Sequence, residues 1–113
     1  MIELSKPDRR AAREIIEKGL QQEFANGLDR SFQILSDWKA GNKSNREAYH
    51  TLYGHIRDFD KHIARRYDNM KGSTYLFIIA GQINDGITEE TELQKLSPEA
   101  IEFVQRILYL SKR

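Results

Sequence analysis

Between Ser44 and Lys71, apolar residues recur at alternating steps of three and four: Tyr49, Leu52, Ile56, Phe59, Ile63, Tyr67 and Met70. A helix with roughly 3.6 residues per turn gathers these positions on one side, so the spacing predicts a helix with one face built for burial. Ser44 and Glu47 stand three apart at its start, as a capping box requires, and Gly72 stands where a left-handed residue ends a helix at least cost. Upstream, Ala12, Ile16, Leu20, Phe24, Leu28, Phe32, Leu35 and Trp38 follow one another at steps of four and three. They predict a first helix from Ser5 to Ala40, with Pro7 in its first turn, Asp8 favourably placed against the helix dipole, and Gly41-Asn42 as its stop. Asn26-Gly27 lowers helix propensity inside this stretch. Because Phe24, Leu28, Ser31 and Leu35 keep helical phase across the pair, one continuous helix is expected.

The link from Gly41 to Lys43 is short enough to fold these helices into an antiparallel hairpin. At about 1.5 Å per residue the first helix runs about 50 Å and the second about 40 Å. The first therefore overhangs, and its early residues Ala12, Ile15 and Ile16 need cover from the C-terminal helix or from another copy of the chain.

After Gly72 the run TYLFIIAGQI is apolar on every side. It is read as a helix, capped by Ser73 or Thr74 and closed by Asn84-Asp85-Gly86, because no other run in the chain offers a strand to pair with it. ITEETELQKL predicts a short helix capped by Thr88. The last helix opens on Ser97-Pro98 and carries Ile101, Phe103, Val104, Ile107, Leu108 and Leu110 as a wide apolar face. The expected fold is all-α: a long antiparallel helical hairpin with two or three shorter helices packed on it, in a single domain spanning residues 1–113.

Composition fits this picture. With 39% hydrophobic and 31% charged residues and a net charge of +1, the chain carries no bulk charge that selects nucleic acid or a membrane. The absence of cysteine excludes a disulfide scaffold and thiolate chemistry. No apolar run approaches the roughly 20 residues that span a bilayer, and the N-terminal stretch lacks the apolar core of a secretory signal, so a cytoplasmic protein without membrane contact is expected. Charge is uneven locally: Asp85, Glu89, Glu90, Glu92, Glu99 and Glu102 make one region acidic, and the chain up to Lys71 leans basic.

Three groups of side chains carry candidate chemistry. Arg57-Asp58-Phe59-Asp60-Lys61-His62 places an arginine five residues before a histidine and, over these six residues, resembles the R-x4-6-H pattern of HEPN-type ribonucleases. The resemblance implies metal-independent RNA cleavage by an all-helical dimer, with Arg57, Asp58 and His62 at the site, His62 as acid or base and Arg57 on the scissile phosphate. A metal site would draw on Glu47, His50, His55, Asp58 and His62, with Glu14, Glu17 or Glu23 of the first helix as partners. Phosphate contacts for nucleic-acid binding would come from Arg57, Lys61, Arg65 and Arg66, among which Asp58, Asp60 and Asp68 are interleaved. The reading preferred over these is a small non-enzymatic interaction or assembly protein without a cofactor. Its partner is a protein, expected to be a second copy of itself, because the overhanging helix offers an apolar face that the hairpin does not cover.

Overall fold

The computed structural model describes residues 3–112, and the described residues form helices and turns alone. Helix α1 spans Lys6–Lys39, α2 Asn45–Tyr67, α3 Tyr75–Asn84 and α4 Pro98–Ser111, with 3-10 turns at Gly72–Thr74 and Glu90–Lys95. The all-α class and the long hairpin are as the spacing predicts, and α1 runs unbroken through Asn26-Gly27. The chain divides into two compact units, Glu23–Asp68 and the segments on either side of it, so that α1 contributes to both.

In the flanking unit, Ser5 starts α1 by accepting the Asp8 N–H at 3.2 Å. The Asp8 carboxylate, itself buried, accepts the Ser97 N–H at 2.9 Å and the Ser97 hydroxyl at 2.6 Å. Ser97 in turn caps α4 through the Ala100 N–H, with Pro98 in the first turn as expected. One aspartate thus fastens the starts of two helices together. Ala12, Ile15 and Ile16 of α1 are 0–1% exposed, in a core shared with Leu76 and Ile79 of α3, Leu93, and Ala100, Val104 and Leu108 of α4. The start of α1, expected to offer a second copy an uncovered apolar face, does not do so: Ala12, Ile15 and Ile16 are buried within the chain itself, among residues of α3 and α4.

Gln82 of α3 is fully buried in this core. Its Nε2 donates to the Ile16 carbonyl at 3.1 Å, and its Oε1 accepts the Thr88 hydroxyl at 3.0 Å. A buried amide is tolerated when both ends are bonded. Gly19 makes room for it, since a Cβ there would stand 2.4 Å from Nε2. Thr88 is therefore spent on Gln82 and does not cap a helix; the segment after it is the 3-10 turn Glu90–Lys95. The end of α3 is as expected, with Gly86 at φ 75° and N–H groups of Gly86 and Ile87 returning to the carbonyls of Ile83 and Gln82.

Gly72 corrects another expectation. It has no positive φ and does not end α2, which stops at Tyr67 with Asp68 as its cap. Lys71 and Thr74 bond reciprocally instead, the Thr74 Oγ1 accepting the Lys71 N–H at 3.1 Å and the Thr74 N–H donating to the Lys71 carbonyl at 2.8 Å. This local turn takes the backbone groups that a longer α2 would have used.

Within Glu23–Asp68, the hairpin turn is made by Gly41 at φ 83°, with the Gly41 and Asn42 N–H groups returning to the carbonyls of Trp38 and Asp37. Ser44 and Glu47 form the expected capping box. The Trp38 indole N–H donates to Asn45 Oδ1 at 2.7 Å across the turn.

Candidate functional site

The hairpin has a polar seam and an apolar outside. Glu23, Gly27 and Ile34 are the buried positions of its α1 arm, at steps of four and seven, and Ala48 is buried opposite on α2. Gly27 lets α2 approach: a Cβ there would stand 2.9 Å from the Phe59 ring. Its carbonyl, besides serving α1, accepts the Ser31 hydroxyl at 3.0 Å and the His55 Nε2–H at 2.9 Å. A residue that lowers helix propensity here makes room for the Phe59 ring and accepts a bond from His55 of the facing helix.

At the open end of the hairpin the Glu23 side chain is 5% exposed and receives three donors from α2. His62 Nε2 lies 2.6 Å from Oε1, and because a carboxylate only accepts, that nitrogen carries the proton. Arg66 donates to Oε2 at 3.2 Å, and the Tyr67 hydroxyl donates to the same oxygen. Each such bond to a charged acceptor contributes on the order of 1.5–3 kcal/mol.

This seam settles where the candidate residues point. His62 faces Glu23, whereas Arg57 is exposed, bonds Asp58 at 3.3 Å and lies over the Tyr53 ring, so one chain does not bring Arg57 and His62 together. Arg66 is committed to Glu23, while Lys61 and Arg65 are exposed. Glu47 is engaged in the capping box, His55 bonds Gly27, and His50 lies edge-on to Tyr49. Among the described residues no three His, Cys, Asp or Glu side chains gather as metal ligands, and no helix is long and apolar enough to cross a membrane.

The apolar stripe expected to be the hairpin core is largely on its surface. Leu28 and Phe32 are each 71% exposed and Tyr49 is 69% exposed; Phe24, Leu35, Trp38 and Ile56 are exposed as well, and so is Tyr53, which lies off that stripe. On α1 these positions lie next to the Glu23–Gly27–Ile34 line, and on α2 Tyr49, Leu52, Ile56 and Ile63 are offset in the same rotational sense from the seam. In an antiparallel pair, equal offsets put both stripes on one side. Leu35 and Trp38 accordingly share a shallow cleft of about 190 Å³ with Tyr49 and Leu52, and Phe24 meets Phe59 at 6.0 Å between ring centres. The result is one continuous apolar face along the hairpin. The sequence pattern located its residues; the signal for its exposure is the set of small and polar residues, Gly19, Glu23, Gly27 and Ser31, repeating every four positions beside it.

Compared with known proteins, the chain matches no family model, no curated protein and no solved structure.

Proposed function

We propose that the chain is a small non-enzymatic interaction and assembly protein that associates with itself through the apolar face of its hairpin. The observation that carries this reading is the exposure of Phe24, Leu28, Phe32, Leu35, Trp38, Tyr49, Tyr53 and Ile56, between 36% and 71%. At roughly 150–250 Å² for a whole side chain, these exposed fractions together present on the order of 650–1,100 Å². The largest apolar patch of an ordinary monomer is roughly 300–600 Å², and each side of a standard protein interface contributes about 800 Å². Covering this face is favourable by the same hydrophobic term that builds a core. The support has moved from the start of α1, which is sealed, to the hairpin.

Sedimentation equilibrium tests it. The wild type is expected to sediment as a dimer or larger, and Leu28→Glu or Tyr49→Glu to sediment as a monomer with unchanged helical content. A wild type that stays monomeric at high concentration would overturn the reading.

A further inference from the structure

Resting on that self-association, we infer that two copies stack their hairpin faces in opposite directions, about a two-fold axis that crosses the helices at the level of Tyr53. Arg46, Tyr53 and Asp60 recur every seven residues, which places them on one flank of α2, beyond Tyr49 and Ile56 at the outer edge of the apolar face. All three are exposed. Tyr53 is also near the middle of that face, since the exposed apolar residues of α2 run from Tyr49 to Ile56. Arg46 and Asp60 then lie on either side of the centre, at about 10 Å each for about 1.5 Å per residue.

Symmetry decides between the two ways of stacking. A two-fold axis across the helices sets each flank of α2 beside the same flank of its copy, running the opposite way. Arg46 of one chain then faces Asp60 of the other, and the pair occurs twice. Flanking positions of this kind choose orientation in packed helices. A two-fold axis along the helices would instead set α2 over α1 of the copy. The antiparallel hairpin register, in which Trp38 meets Asn45, puts Arg46 level with Asp37, which helical phase turns to the opposite side of the hairpin. Lys39, about 3 Å along the axis from Arg46, shares the phase of Leu28, Phe32 and Leu35, so that arrangement brings two cations together on the apolar side. Opposite charges thus favour the antiparallel stack, and like charges oppose the parallel one. Each end of the resulting four-helix bundle would carry the turn of one hairpin and the open end of the other.

The absence of native cysteine makes single-cysteine cross-linking a clean test. At concentrations where the wild type sediments as a dimer, Tyr53→Cys treated with a short bis-maleimide is expected to link to its own copy. An equimolar mixture of Arg46→Cys and Asp60→Cys is expected to link to each other, with little linking of either alone. In sedimentation, Arg46→Asp and Asp60→Arg are each expected to weaken dimerisation roughly tenfold, and the double variant to recover it. A dimeric wild type in which Tyr53→Cys links to Phe32→Cys rather than to itself would overturn the antiparallel stack and leave self-association standing, as would a double variant no tighter than the singles. A monomeric wild type would remove both.

Discussion

Glu23 and His62, 39 residues apart, meet at 2.6 Å across the hairpin, and the same carboxylate also takes donors from Arg66 and Tyr67. Glu23→Ala removes, at a buried position, the acceptor that His62, Arg66 and Tyr67 share. The hairpin is expected to lose about 3–5 kcal/mol, the range for removing one partner of a buried charge pair. Denaturant unfolding followed by helical circular dichroism measures this. A loss below about 1 kcal/mol would mean that the seam is held by apolar contact alone.

Three glycines inside helices separate contact from propensity. At Gly54 an added Cβ meets nothing within 4 Å, so Gly54→Ala is expected to stabilise by about 0.5–1 kcal/mol. At Gly27 the Cβ stands 2.9 Å from Phe59, and at Gly19 it stands 2.4 Å from the buried Gln82 amide. Both alanine variants are expected to be less stable than wild type despite the better helix former. Thermal melts of the three variants side by side give the comparison.

Asp8 ties the beginnings of α1 and α4 through Ser97. Asp8→Ala removes two bonds to a charged acceptor and is expected to cost about 2–4 kcal/mol, whereas Ser97→Ala keeps the bond from its own backbone N–H and should cost less. Exchange of the Ala100 amide, which the Ser97 hydroxyl caps, is expected to quicken more in the serine variant, and exchange of the Ser97 amide more in the aspartate variant.

Glu92 accepts Lys95 at 2.8 Å and Lys18 at 3.2 Å. The Lys95 bond first, and the Lys18 bond second, hold its carboxyl below the usual glutamate range. A lowered folded pKa means that the stabilisation is present above the unfolded value and is lost as the pH falls through the folded one. Carboxyl-carbon NMR titration is therefore expected to place Glu92 below the ordinary glutamate value. Lys95→Met should raise it more than Lys18→Met.

The elements were legible because their signals are local. Ser5, Ser44 and Ser97 cap helices, Gly41 and Gly86 end them, and each acts within a few residues. The side of the hairpin that faces inward was not. Periodicity gives a stripe but does not say what covers it, and here Phe24, Leu28 and Phe32 are left outside while Glu23 and Gly27 go in. Glu23 in isolation suggested at most a metal ligand, because its three donors lie 39 to 44 residues away. Gln82 and Thr88 were hidden in the same way, the first inside an apolar run and the second in the position of a helix cap.

Purely greasy contacts between two rods tolerate sliding by a turn, because one aliphatic side chain can replace another. The carboxylate at position 23 finds all three donors in a single alignment, and because His62 and Arg66 stand one turn apart, a slip of one turn would leave it buried with at most one of those two in place and without Tyr67. That acid works as a detent, locking the two rods in step and leaving the outer surface the same shape in every molecule.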